Sequence, residues 1–398
     1  MSRFAFVSSM SSHPWGGSEE LWAGAACELS RAGHAVSACV QKWPQPHARI
    51  KNLQANGVLL HERRSSEFKS TLWSSRWQRI KHIVGHTIGR HQPLTESPSG
   101  FDQHIRKFKP DLVCVSNWGY RDALPWMWFL HREKIPFVSV VQTNAEYLWP
   151  TDKQLDKLSQ VYESAKAVFC VSKANLALLE NQLAMKLPQA RVMWNPYQVD
   201  RCSPPSWPAE SKTWNIACVA RLEPNAKGQD LLFQVLAQPA WRNRNIKVSM
   251  FGGGISSNGV HQLANLYELQ DTVEFRGHVS DVRQIWEEHH ALILPSRMEG
   301  LPLALVEALM CGRPAIVTNI AGNPEVVEDG VNGFVADAPH VRSLSDAMEK
   351  AWNARDKWQE MGQTARLKIL KQVPENPCKE LADRLLQIAS KSTARTDK

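Results

Sequence analysis

The chain has 398 residues, 43% hydrophobic and 22% charged, a globular balance with room for two domains of ordinary size. It has no apolar run near the roughly 20 residues that cross a bilayer, and the apolar core of MSRFAFVSS is too short for a signal peptide. Eight scattered cysteines form no C-x-x-C pair, which argues against a zinc knuckle or a disulfide framework and fits a reducing cytoplasm, while a net charge of +8 favours acidic partners.

In chain order, Phe4 to Ser8 reads as a first strand. Ser18 is the expected cap of a helix with Glu19 and Glu20 in its first turn. Leu21, Ala25 and Leu29 share one face of it, Trp22 and Ala26 lie beside them, and Gly33 ends it. Ala35 to Val40 reads as the next strand, so the chain opens as a strand-helix-strand unit of an α/β domain. Gly16 and Gly17 sit in the first loop, where backbone amides face the carboxyl edge of the sheet. Their spacing is not G-x-G-x-x-G, so the dinucleotide fingerprint is absent, and a plain tight turn is an equal reading of the pair. His13, near the same strand end, is a candidate acceptor contact, although a lone histidine is more often structural.

Residues 44–100 look less regular. Within them Trp73, Trp77, Ile80, Val84 and Ile88 recur at helical spacing among Arg76, Arg79, Lys81 and Arg90. Such a basic amphipathic helix can lie on an anionic membrane surface. A helix packed on its own domain with a solvated basic face is the plainer reading. Asp111 to Val115, Pro136 to Val141 and Ala167 to Val171 read as further buried strands, and Ser172 as a helix cap. The proline-rich, polar stretch 196–213 reads as a linker.

The second half begins with a strand, Trp214 to Val219, and a helix from Gln229 onward. Arg221 and Lys227 flank the intervening loop; alone they would read as solvated surface cations. Ile246 to Phe251 is a strand ending in Gly252, Gly253 and Gly254, which suit close ligand approach or a turn. Thr272 to Arg276 is another, followed by Gly277, His278 and Val279. Trp286 to His290 reads as a short helix end, and a last helix starts near Pro377 with Leu381, Leu385 and Ile388 on one face.

The most informative stretch is LILPSRMEGLPLALVEALMCGRPAIVTNIAGNPEVVEDGVNG, residues 292–333. It reads as strand, loop, helix, strand and loop, the helix running from Leu303 to Cys311 and stopped by Gly312 and Pro314. The first amides of that helix have no backbone partner and carry partial positive charge, so they suit a phosphate, with Gly300 letting a ligand approach. Glu299 lies in the loop and Glu307 about one turn inside the helix, so both carboxylates can face one pocket. Carboxylates do not bind phosphate, which assigns them to hydroxyl groups on the same ligand. A phosphate between two polyhydroxylated parts describes a nucleotide sugar.

The string Glu299, Gly300, Leu301, Pro302, Leu303 to Glu307 resembles the E-x7-E motif of retaining glycosyltransferases of the GT-B fold, family 4. The run from Gly322 to Gly333, the W-G-G opening and the Arg221–Lys227 element resemble the same family. The family often has a histidine after the strand at Pro136–Val141, where this chain has Gln142 and Asn144; it usually has N-G where this chain has Asn195–Pro196.

The resemblance implies two Rossmann-like α/β domains facing a cleft: residues 1–195 on the acceptor side, a linker at 196–213, a nucleotide-sugar domain at 214–376, and a helix and tail at 377–398 crossing back to the first domain. It implies sugar transfer, of hexosyltransferase type, from a nucleoside-diphosphate sugar to a glycan or lipid-linked hydroxyl in polysaccharide or cell-envelope synthesis. Arg221 and Lys227 would stabilise the departing diphosphate. Glu299 would orient the donor sugar and Glu307 would hold the ribose. Gly16, Gly17, Gly253, Val279, Gly300, Leu301, Pro302 and Leu303 would complete the donor site, with His13, Gln142 and Asn144 on the acceptor side. No cofactor or metal is expected, since no D-x-D motif stands in the chain, and no nucleic acid partner. The expected place is the cytoplasm or the inner face of its membrane. A non-catalytic nucleotide-sugar binder and another GT-B enzyme, such as an epimerase, are the alternatives.

Overall fold

The computed structural model describes residues 1–11, 13–63 and 100–393. Two all-parallel sheets account for its strands. The first is β1 (Arg3–Ser8), β2 (Ala35–Gln41), β3 (Leu59–Arg63), β4 (Leu112–Gly119), β5 (Phe137–Thr143), β6 (Ala167–Cys170) and β7 (Ala190–Val192), in the order β3-β2-β1-β4-β5-β6-β7. The second is β8 (Trp214–Val219), β9 (Ile246–Phe251), β10 (Val273–Gly277), β11 (Ala291–Leu294), β12 (Ala315–Thr318) and β13 (Gly333–Ala336), in the order β10-β9-β8-β11-β12-β13. Helices cover both faces, which is why the strands read as continuous apolar runs rather than alternating ones. Each sheet reverses its strand order once, between β1 and β4 and between β8 and β11. In open α/β sheets, ligands bind outside the carboxyl ends of the strands at such a reversal.

The helix Gly17–Arg31 buries Leu21, Trp22, Ala25, Ala26 and Leu29. Its cap is Gly16, in extended conformation and without a side-chain bond, so Ser18 is not the cap but the second helical residue. The helix starts early because the glycine loop runs straight into it, the Glu19 amide closing on the Gly16 carbonyl at 2.9 Å. Ser172 does cap the helix Lys173–Leu183, its hydroxyl accepting from the Asn175 amide. Residues 44–63 are more regular than their sequence suggests: His47 caps a helix, Ala48–Ala55, and β3 follows. Both elements are short and half exposed, which blurs their periodicity. The Trp73–Ile88 stripe and its arginines lie outside the described residues. The short helix before β11 is Val282–Glu288, capped by Asp281, rather than Trp286–His290. Among the described residues no helix is long and apolar enough to cross a membrane.

The last helix, Pro377–Thr393, packs on Gly17–Arg31 and buries Leu381, Ala382, Leu385 and Ala389, while Ile388 is only partly covered. The chain thus passes between the two sheets twice. The two passages are tied together: the Tyr197 hydroxyl lies 3.3 and 3.2 Å from the carbonyls of Pro374 and Glu375, and Arg201 donates to the Val373 carbonyl at 2.9 Å. Farther along, Arg313 is buried with 2% exposure. It donates to the carbonyls of Trp286, His289, Cys311 and Ser206, and its guanidinium sits over the Trp207 ring. The linker residues Ser206 and Trp207 are thereby fastened to the second sheet's helices.

A buried fork holding four carbonyls cannot be replaced by a single ammonium. Arg313→Lys is expected to lower the unfolding free energy by roughly 2–4 kcal/mol in a urea titration, since carbonyls would lose their donors inside the fold. An unchanged midpoint would refute that role for the fork.

Candidate active site

The carboxyl ends of β1 and β4 face those of β8 and β11 across a cavity of about 380 Å³. The loop after β8 is shaped by two short helices, Pro224–Lys227 and Gln229–Leu236, joined at Gly228. Gly228 has φ +66°, and a Cβ there would lie 1.9 Å from the Pro295 carbonyl oxygen. Only glycine lets this loop press against the end of β11. That contact places Lys227 beside Glu299, with Nζ to Oε1 at 2.6 Å and the two side chains 16% and 7% exposed. The Ser296 hydroxyl donates to the same oxygen at 2.7 Å. Glu299 is therefore held as an acceptor from two sides.

Arg221 stands at the other end of the same loop. Its guanidinium donates to Glu223 at 3.1 Å and lies 3.3 Å from His13 Nδ1 across the cleft. Burial, reinforced by the Arg221 charge, lowers the His13 pKa to about 4. The ring is thus neutral at pH 7 and can accept from the arginine. No side chain caps the helix Leu303–Met310, whose first residues Leu303 and Ala304 line the cavity, so its leading amides and dipole are open to an anion. Gly16 and Gly17 form the facing wall.

Of the residues singled out from sequence, His13, Gly16, Gly17, Gln142, Arg221, Lys227, Glu299, Gly300, Leu301, Pro302 and Leu303 line this cavity together. Four do not. Gly253 and Val279 are absent from its walls, and His278 lines it instead of its neighbour. Asn144 is consumed structurally: its amide donates to Gln182 at 2.6 Å and its oxygen accepts from the Ala145 amide. Glu307 is buried below the cavity, where its Oε1 accepts from the Gln198 amide of the linker at 2.9 Å. Desolvation raises its pKa to about 7, the Gln198 bond opposing the shift and the Glu20 charge adding to it.

Gly300 also needs correcting. A Cβ there would lie 2.1 Å from the Gln142 carbonyl oxygen and 2.5 Å from Val171 Cγ2. The close approach that glycine permits is therefore to the carboxyl ends of β5 and β6, where Asn144 and Glu299 pair as an isolated antiparallel bridge. Gln142 accepts from Asn195 at 2.8 Å, while its own Nε2 donor, buried in the cavity wall, has no partner among the described residues.

Several wall residues are not assigned to the site by the sequence reading: Trp15, Trp118, Thr143, Asn195 and His278. Trp118 lies at the carboxyl end of β4, one of the two strands at the reversal, so the strand-reversal rule would have found it once the strand order was known; Thr143 ends the neighbouring β5. Glu19 was read only as a first-turn acid. It is buried, accepts from the Ser8 hydroxyl at 2.9 Å, and desolvation raises its pKa to about 7.

Comparison with known proteins follows the same division. The profile described as glycosyltransferase family 4 matches residues 15–201, and that described as glycosyl transferases group 1 matches residues 203–368. An uncharacterized glycosyltransferase of Haemophilus influenzae is 31% identical over 147 residues, 35% of this chain and 40% of that protein. A GDP-mannose-dependent alpha-(1-6)-phosphatidylinositol monomannoside mannosyltransferase of Mycobacterium tuberculosis is 33% identical over 164 residues, 38% of this chain and 41% of that protein. The chain thus aligns with about two fifths of the length of these curated relatives. Among solved structures, Anabaena HepE in complex with UDP-glucose superposes with a TM-score of 0.68 at 15% identity, over 100% of both chains. S. aureus TarM superposes with a TM-score of 0.69 at 14% identity, over 98% of this chain and 99% of that one. With two profiles side by side over most of its length and the GT-B architecture, the chain belongs to the group 1, family 4 glycosyltransferases.

Proposed function

We propose that the cleft transfers a sugar from a nucleoside-diphosphate sugar to a hydroxyl of a glycan or lipid-linked acceptor, with retention at the anomeric carbon. The observation that carries this reading is the Lys227–Glu299 pair at 2.6 Å, set beside Arg221 and an uncapped helix start in one cavity. Cations and amides suit a diphosphate, and an acceptor-only carboxylate suits sugar hydroxyls. In the reaction, the acceptor oxygen bonds to the anomeric carbon as the bond to the diphosphate oxygen breaks. The acceptor proton passes to the released diphosphate. Arg221 and Lys227 stabilise the charge that develops there. Fixed cations and amides serve the phosphates, so the proposal needs no metal.

Glu299 orients the donor ring. Glu307 takes the ribose hydroxyls, which requires it to turn from the Gln198 amide toward the cavity. On the facing wall, His13 and the free Gln142 amide suit the acceptor. Uridine is the proposed base, supported by the UDP-glucose named for HepE, and GDP is the competing choice, named for the mycobacterial relative. A lipid-linked acceptor at the cytoplasmic face of a membrane fits the basic chain. A non-catalytic binder would hold the nucleotide sugar without releasing nucleoside diphosphate.

The test is nucleoside-diphosphate release across a panel of UDP- and GDP-sugars with lipid and glycan acceptors. Lys227→Ala and Glu299→Ala are expected to lose about 10²–10³ in turnover while remaining folded by circular dichroism; near-normal turnover in either would refute these roles. A second expectation concerns pH. The folded pKa of Glu307 is raised from 4.5 to about 7, so its contribution to stability is full below 4.5 and is lost as pH rises through 7. Relative to wild type, Glu307→Gln is expected to gain on the order of 2–3 kcal/mol in unfolding free energy between pH 5 and pH 8. Parallel urea curves with no relative change would show that the carboxyl titrates normally.

A further inference from the structure

One carboxylate from the second half of the molecule caps a helix of the first. Glu325 lies in the short turn Asn323–Val326 after β12. Its Oε1 accepts from the Ala174 amide at 2.8 Å and its Oε2 from the Lys173 amide at 3.1 Å. Together with the Ser172 hydroxyl, which takes the Asn175 amide at 3.1 Å, it satisfies the first turn of the helix Lys173–Leu183. Two of these three bonds exist only while the halves are in contact. The helix dipole adds to the attraction for a carboxylate.

The grip is connected to the cavity. Three residues before Glu325, Gly322 packs on Ser172: a Cβ at Gly322 would lie 2.8 Å from the Ser172 Cβ. The Gly322 amide donates to the Gly300 carbonyl at 2.9 Å. Gly300 in turn lies against the Gln142 carbonyl, next to the Asn144–Glu299 bridge. A continuous run of contacts thus leads from Glu325 to the loop that carries Glu299.

We propose that Glu325 is a positioning residue: its two-oxygen grip on the Lys173 and Ala174 amides sets the Glu299–Leu301 loop against the Gln142 wall. It thereby fixes the spacing between the donor-side and acceptor-side groups. The inference rests on the reading of the cavity as a sugar-transfer site. The Gly-x-Pro-Glu string around it is then a device for register, with Gly322 for closeness and Glu325 for grip.

A cap that served only its own helix would act locally. Amide hydrogen exchange on the full chain separates the two roles without any ligand. Glu325→Ala is expected to speed exchange about tenfold at residues 173–174 and also in segments 142–145 and 298–301, which the substitution does not touch. Glu325→Gln, keeping one acceptor, is expected to restore most of the distant protection. Glu325 is half exposed, so both variants are expected to keep the wild-type melting temperature within a few degrees. Faster exchange confined to 173–175, or no change, would overturn the proposal. With UDP as probe, Glu325→Ala is expected to bind within about twofold of wild type and to lose about tenfold in turnover, the signature of lost positioning rather than lost binding. Unchanged turnover with opened segments would also overturn it. Failure of the wild type to bind UDP would count against the uridine donor, and the exchange result would still decide the role of Glu325.

Discussion

The contact between Gly228 and the Pro295 carbonyl governs the cleft. A side chain at residue 228 would hold the loop after β8 away from the end of β11, and Lys227 would lose Glu299. Lys227 and Glu299, 72 positions apart in sequence, are brought together there by one close backbone approach between the loops after two adjacent strands. The charged pair is consequently a product of the strand reversal between β8 and β11. Chemistry sits at that point because two loops diverge there and leave room for a ligand between them. The first sheet provides a matching reversal, and the glycine loop after β1 closes the space from the other side.

Much of this was legible from sequence, for identifiable reasons. Buried parallel strands are short apolar runs, so β8, β9 and the Ala291–Leu294 strand β11 read to the residue and β1 and β2 within one. The string around Glu299 carries helix stop signals, and its two acids, uninformative by spacing alone, become specific with the whole string between and after them. What could not be read was the approach of one half to the other. Gly300 looked like room for a ligand because the Gln142 carbonyl that fills that space is distant in sequence. Asn144 and Gln142 looked equivalent, yet Gln182 satisfies one and leaves the other with a free donor. Glu307 looked like a cavity residue until the linker amide of Gln198 claimed it.

Two buried acids lie outside the cavity lining. Glu19 leans on Ser8 and Glu307 on the Gln198 amide, and desolvation pushes both into the range near neutrality. Among the described residues neither has a cation in direct hydrogen-bonded contact, unlike Glu299 with Lys227. The difference separates a carboxylate already paired with a cation from acids whose charge depends on what approaches them. A polyol hydroxyl donating to Glu307 would favour its ionised form in the same way that the Gln198 amide does.

The paired passages between the sheets carry a mechanical consequence. Tyr197 and Arg201 bind the outgoing chain to the returning one near residues 373–375, and Arg313 bolts the linker down again at Ser206. Each passage is therefore held by the other: neither segment can slide along its neighbour without giving up these bonds.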